Sequence, residues 1–369
     1  MATALDDYAI HQIVENMELV EGRNPRWTDE LWFHASSVDG KITISAHIGV
    51  YPQTATMDAA VCVAIGDKQY NVRASRVVNG DRDTKQVDGI SAEIIDPFKE
   101  WHFSVEEKEN QPVSLEISFK SLNQPIEVSA PIQHRNDGRQ LVWDQWKYVQ
   151  TGNFQGQIKH KGENIDFSGF GAKERSWGVR PILGQIPNLG RIPESIGKKS
   201  VWFSAEIGKE SFWFWQITPN DQEHAYHIGN LSDTTGRTKL DGGISGEHGG
   251  EKPSQIVAID SELNYAKNGI LIDDSQLTIM DWNNSTYEVK IHPLATLYAK
   301  GLGYGHETFK HIEYKGVQYE NEEYDLSSNE RVNSLLDNQS GHLNPFIAEQ
   351  FCEMKIGKTT GYGIVRVSN

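Results

Sequence analysis

The feature that most constrains this chain is an internal repeat. Trp32-Phe-His-Ala is echoed by Trp202-Phe-Ser-Ala, and Gly169-Phe-Gly-Ala-Lys-Glu-Arg-Ser by Gly361-Tyr-Gly-Ile-Val-Arg-Val-Ser, in the same order and at similar separation. Such self-similarity marks a duplicated structural unit. The first segment of each half opens it with two adjoining strands and the second closes it, so 361–368 is expected to be the last strand of the second half. A length of 369 residues also exceeds what one hydrophobic core usually supports. The repeat divides it into residues 1–180 and 201–369, joined by 181–200. That joining stretch, PILGQIPNLGRIPESIGKKS, has neither helical nor strand periodicity and reads as a loop.

Within each half the pattern is that of strands. Runs such as LWFHASSV, KITISAHIGVY, AAVCVAIG and VSLEISF, then SVWFSAEI, SFWFWQI and SQLTIMDW, are broken by Gly, Asn, Asp and Pro. Asp39-Gly40, Gly66-Asp67, Asn79-Gly80 and Asp137-Gly138 are turn dipeptides. The fold class is therefore all-β: two antiparallel barrels, each of a size that can hold one small apolar ligand. A short helix is expected over residues 4–20, where Ile10, Ile13, Val14 and Met17 recur at spacings of three and four.

Charge and cysteine content narrow the partners. A net charge of −16 repels nucleic acid and anionic lipid headgroups. No apolar run is long enough to span a membrane. The N-terminus lacks the basic and apolar regions of a secretory signal, and Cys62 and Cys352 are too few for a disulfide framework or zinc site. A reduced, cytoplasmic protein is expected, with a homodimer left open. No metal or cofactor motif occurs. Gly301-Leu-Gly-Tyr304-Gly lacks the dinucleotide spacing, and His306-Glu307 with His311 misses the metalloprotease spacing by one residue.

Three stretches could carry chemistry. Glu174-Arg175-Ser-Trp177 brings a carboxylate, a guanidinium and an indole together, either lining a site at the junction of the halves or forming a structural ion pair beside a Trp plug. Alternation in a strand puts Trp202, Ser204 and Glu206 on one face, as it does Trp32, His34 and Ser36. Trp213 and Trp215 share a face of the next strand and are expected to join Trp202, as core or as cavity wall. A desolvated carboxylic acid, Glu206 or Glu174, is the expected proton donor, with His34 or His306 as the alternative. Arg175, Trp177, Trp32, Trp202, Ser204, Trp213, Trp215 and Tyr304 are the expected substrate-binding groups.

The junction ERSWGVRP, the following WFSAE, the Gly-Leu-Gly-Tyr-Gly-His stretch and the closing Gly-Tyr-Gly-Ile resemble the tandem lipocalin-like (calycin) proteins. That group includes the carotenoid 1,2-hydratases (hydroxyneurosporene synthases), the AttH-like proteins and lipocalin-like natural-product cyclases. The resemblance implies two lipocalin-like barrels side by side and cofactor-free acid–base chemistry (cyclisation, hydration or isomerisation) on a hydrophobic or aromatic substrate, such as those of isoprenoid or indole-alkaloid pigment pathways, scytonemin formation among them. The chain departs from the group in having Lys-Glu-Arg at 173–175 where an Arg-Asp/Glu-His order is more usual. A carrier or sensor holding a lipid, pigment or indole metabolite is the alternative function.

Overall fold

The strand that opens the chain's first half is buried on both faces. In β1 (Trp27–Ser37), Leu31, Phe33 and Ala35 enter the core of the first half, while Trp32 joins a second cluster shared with the other half. The structure, a computed structural model, describes residues 2–8, 11, 24, 27–78, 85–127, 132–136, 140–179, 199–218, 227–228, 231–232, 239–248, 253–266, 271–304, 306–309, 316–336 and 348–368. The joining loop expected at 181–200 therefore lies almost wholly outside the described residues. So do Ile10, Ile13, Val14 and Met17 of the expected helix, of which a single 3-10 turn, Ala4–Asp7, is seen.

The first half continues with β2 (Ile42–Tyr51), β3 (Thr56–Ile65), β4 (Lys68–Val77), β5 (Gln86–Val87), β6 (Ile90–Asp96), β7 (Glu100–Val105) and β8 (Val113–Ser121). Then come β9 (Ile126–Glu127), β10 (Ile132–Asn136), β11 (Gln140–His160) and β12 (Glu163–Val179). The second half comprises β13 (Lys199–Ile207), β14 (Glu210–Thr218), β15 (His227–Ile228), β16 (Leu231–Ser232), β17 (Lys239–Ser245), β18 (Ser254–Glu262), β19 (Ser275–Asp281) and β20 (Thr286–Tyr298). It ends with β21 (Gln318–Asp325), a short helix α1 (Asn329–Leu336), β22 (Ala348–Ile356) and β23 (Thr359–Ser368).

The fold is all-β. Strands β13, β14, β17, β18, β19, β20, β22 and β23 form a closed barrel, and the first half is a 13-stranded curled sheet in which eleven strands run in the order β21-β4-β3-β2-β1-β12-β11-β8-β7-β6-β5 while β9 and β10 each pair with β11 off that path. Curling brings the two ends of that sheet together, and Arg76 Nε of β4 donates to the Gln86 carbonyl of β5 at 2.8 Å. Strand β21 comes from late in the sequence yet extends the first sheet. The cause is electrostatic: buried Arg73 of β4 reaches Glu320 at 3.1 Å and Glu322 at 2.9 Å on the added strand. Turns fall where the sequence placed them at Gly40 and Gly66, both with positive φ, while Asn79-Gly80 and Asp137-Gly138 lie outside the described residues. The tall β11–β12 hairpin turns at Lys161 and Gly162, whose φ values of 51° and 82° suit a primed turn.

The repeat becomes visible as register. β1 pairs with β12 so that Trp32 faces Glu174; β13 pairs with β23 so that Trp202 faces Arg366. The closing strand pairs with the opening strand in both halves, and β23 is the last strand as expected. Glycine makes this closure tight. A Cβ at Gly169 would sit 2.1 Å from the Ser36 carbonyl oxygen, and one at the equivalent Gly361 would sit 1.9 Å from that of Glu206. Equivalent residues also meet across the junction: Phe170 stacks on Tyr362 at 4.7 Å, and Glu174 lies 3.8 Å from Arg366. The halves thus face each other about an approximate two-fold relation. Each keeps its own core: Phe33, Trp101, Phe103, Phe119 and Phe154 in the first, Phe203, Phe212 and Phe214 in the second.

Candidate functional site

Because the two cores are separately filled, the outward faces of the opening and closing strands meet at the seam. Trp32, Phe170, Ala172, Trp202, Trp213, Leu297, Phe351 and Ile364 form its apolar part. Set into this apolar layer is a group of buried charged residues. His34 of β1 places Nδ1 3.0 Å from Glu349 Oε2 of β22 and 2.8 Å from Ser45 Oγ of β2. Its Nε2 is 2.8 Å from Arg366 Nη2 of β23. Arginine only donates, so Nε2 accepts and the ring proton belongs on Nδ1. Burial dominates in pulling the His34 pKa down; Glu349 opposes it and Arg366 adds to it. His34 is therefore a neutral imidazole held between a carboxylate and a guanidinium.

The charges around it are paired. Arg366 Nε lies 3.4 Å from Glu349 Oε1. Glu174 Oε1 is 2.6 Å from Lys147 Nζ of β11. Burial alone would raise both carboxyls, but His34 and Arg366 hold Glu349, and Lys147 and Arg366 hold Glu174, below the usual range. Aromatic faces take up the cations. The Arg366 guanidinium carbon lies 4.0 Å from the centroid of Trp202, and Lys147 Nζ lies 4.6 Å from that of Trp215. Trp32 packs 4.1 Å from His47 and 5.8 Å from Tyr304, and Trp202 meets His34 edge-on at 6.0 Å.

Several polar atoms here are buried with no hydrogen-bond partner among the described residues: Glu174 Oε2, Trp202 Nε1, Ser204 Oγ and Trp213 Nε1. Each such atom costs roughly 1–3 kcal/mol if left unmet.

The structure brings His34, Glu174, Trp32, Trp202, Ser204, Trp213, Trp215 and Tyr304 to this seam. It does not bring Arg175 or Trp177 there. Successive residues of a strand point to opposite faces, so Glu174 faces the second half while Arg175 and Trp177 face into the first. Arg175 pairs with Asp29 at 2.6 Å, and Trp177 stacks on His11 at 3.7 Å. Glu206 stands on the Trp202 face of β13, half-buried, and burial pushes its carboxyl up to about 7. His306 has both ring nitrogens engaged, Nδ1 accepting from the Phe309 N–H at 2.9 Å and Nε2 3.2 Å from Glu322. It ties the 306–309 turn to β21 rather than joining His34. His224 and His311 lie outside the described residues. Three central members, Glu349, Arg366 and Lys147, were not singled out from sequence. Arg366 had a usable signal, since the repeat sets it against Glu174, opposite in charge. Among the described residues no group of three or more His, Cys, Asp or Glu side chains is placed to hold a metal ion, and no helix is long and apolar enough to cross a membrane.

Comparison with known proteins gives a family and several likenesses in fold. Residues 2–367 match a family described as of unknown function, DUF8625. No curated protein matches the chain. Among solved structures, a protein of Nitrosomonas europaea titled as an AttH shares 13% identity over 93% of this chain and 92% of its own, with a TM-score of 0.48. CghA, solved with Sch210972, shares 10% over 99% and 97%, with a TM-score of 0.46. Kievitone hydratase from Nectria haematococca shares 10% over 98% and 94%, with a TM-score of 0.44.

Proposed function

The chain belongs to DUF8625, a family of unknown function, and we propose that it is a cofactor-independent acid–base enzyme acting on a hydrophobic, unsaturated small molecule at the seam between its halves. The observation that carries this reading is the neutral His34 imidazole, oriented by Glu349 through Nδ1 and presenting Nε2 to Arg366 beside the Trp202 indole. A carboxylate on one imidazole nitrogen and a reactive position on the other is the arrangement that general acid–base catalysis requires.

In this mechanism a substrate displaces the Arg366 contact and meets Nε2. Glu206 in its acid form gives a proton to a carbon of a substrate double bond. His34 Nε2 then takes a proton either from the carbon next to the resulting cation, which completes an isomerisation, or from the water or substrate hydroxyl whose oxygen bonds to the cation, which completes a hydration or ring closure. Glu349 stabilises the imidazolium until its proton passes back to Glu206. The Trp202 face already carries a guanidinium, and a developing carbocation there gains the same attraction, roughly 1–2 kcal/mol when desolvated. Glu206, protonated for much of the time near neutral pH, stands on the same strand face. Glu174 and Lys147 hold the opposite wall.

The test is isotopic. The protein is incubated in D2O with an acyclic polyene, a prenylated phenol and a 3-alkenylindole, and products are read by mass spectrometry for deuterium at carbon or addition of water. Turnover of at least one probe is expected, falling by about 10²-fold or more in His34→Asn and Glu349→Gln. Probes that bind without any label transfer would overturn the enzyme reading in favour of a carrier or sensor.

A further inference from the structure

The interior end of the first sheet holds a second charged cluster, independent of the seam. Lys173 and Arg175 of β12 point inward there, joined by Lys85 and Tyr148 around the indole of Trp101. The ammonium groups of Lys85 and Lys173 lie 4.8 and 5.1 Å from that ring's centroid. Against these basic groups the sheet sets Asp29, paired with Arg175 at 2.6 Å, as its carboxylate among the described residues. The remaining negative charge comes from the chain's own N-terminal segment. Asp7 is wholly buried, 2.5 Å from Lys173 Nζ, and accepts from the Tyr148 hydroxyl and the Phe98 backbone N–H. Phe98 holds a left-handed backbone, φ 65°, rare for a residue with a side chain and a sign of a conformation held in place by its surroundings.

The grip extends beyond the carboxylate. Lys85 Nζ donates to the Asp7 carbonyl at 2.7 Å. Arg175 donates to the carbonyls of Asp6 and Tyr8 at 3.3 and 3.2 Å. His11 closes the end by bridging Asp6 and Asp29 while stacking on Trp177. Trp101 Nε1, buried in the centre, has no partner among the described residues. The segment is thus bound as an acidic peptide is bound: side-chain carboxylate in a ring of donors, backbone carbonyls on cations, aromatic walls around it.

We propose that this end of the first half is a carboxylate-binding site whose resident occupant is the chain's own N-terminal segment, and that a small monocarboxylate takes the place of the Asp7 side chain when that side chain is removed. Lys173, the Tyr148 hydroxyl and the Phe98 backbone N–H recognise the carboxylate. Excess positive charge on the sheet side makes an empty site costly, because buried cations without a counter-charge are strongly destabilising.

The experiment uses acetate as probe and acetamide as its neutral control. In the full chain, Asp7→Ala is expected to lower the melting temperature, and acetate is expected to restore much of the loss while acetamide does not and wild type does not respond. In a variant lacking residues 1–11, a synthetic peptide of those residues is expected to bind, with its Asp7→Asn form weaker by about tenfold or more. Should the truncated chain not fold, the Asp7→Ala rescue decides alone. Equal responses of wild type and Asp7→Ala to acetate, or no response in Asp7→Ala, would overturn the proposal.

Discussion

Lys85 gives the sharpest quantitative expectation. Its ammonium is buried beside Trp101; burial is the main cause that pulls its pKa from 10.5 to about 7, with Arg175 adding to the shift and Asp29 and Asp7 opposing it. The unfolded chain therefore binds a proton at Lys85 that the folded chain has released, from about pH 7 up to 10.5. Wherever the unfolded state binds more protons, stability rises with pH. With one pKa unit worth about 1.4 kcal/mol, the gain between pH 7 and pH 9 from this residue comes to about 2 kcal/mol. Lys85→Met keeps the apolar stem and removes the titration. Urea unfolding at pH 7, 8 and 9 reads the effect; the two buried thiols are common to both proteins and cancel, while Lys173, which burial pulls to about 8 and whose charge acts on Lys85, is removed from the comparison by making Lys85→Met in a Lys173→Met background. The difference in stability, Lys173→Met minus the double variant, should grow by about 2 kcal/mol over that range. Parallel pH profiles would refute the claim that Lys85 is desolvated.

Two further expectations follow from the same geometry. Glu206 has its carboxyl raised by burial to about 7 from 4.5, so the folded state holds the extra proton between those values and stability falls as pH rises through the window. Glu206→Gln should remove that fall and stabilise the protein at pH 8 by about 1 kcal/mol, discounted because the group is only half-buried; urea midpoints at pH 5 and 8 that shift equally would count against it. Gly361→Ala places a Cβ 1.9 Å from a backbone oxygen of β13, where neither strand can yield, and should cost about 3 kcal/mol or more; an unchanged melting temperature would show that the closing strand is not held as described.

The organisation of the chain was largely written in its sequence. Strand periodicity and turn dipeptides mark an all-β chain, and the repeated segments identify opening and closing strands, since strand pairing in a duplicated unit has to be repeated with it. Period-two alternation correctly grouped Trp202 with Ser204 and Glu206, and Trp32 with His34. The same alternation separates Glu174 from Arg175, so their adjacency in sequence was misleading as a sign of a shared site. Sequence could not show which face looked inward. Phe203 and Ala205 are as apolar as Trp202, and only the docking of one half on the other makes the Trp202 face a seam rather than a barrel lining. Glu349 and Lys147 were illegible for a related reason: each sits in an unremarkable strand and acquires a role only when β22 and β11 arrive beside His34 and Glu174 from distant parts of the chain. Asp7 is the extreme case, a surface-type residue in a short N-terminal turn that is wholly buried, its carboxylate met by Lys173, the Tyr148 hydroxyl and the Phe98 N–H from distant parts of the chain. Local pattern determines strands, faces and repeats, because those depend on neighbouring residues. Which charges share a dry space is decided by long-range packing, because burial and pairing exist only after the chain has folded.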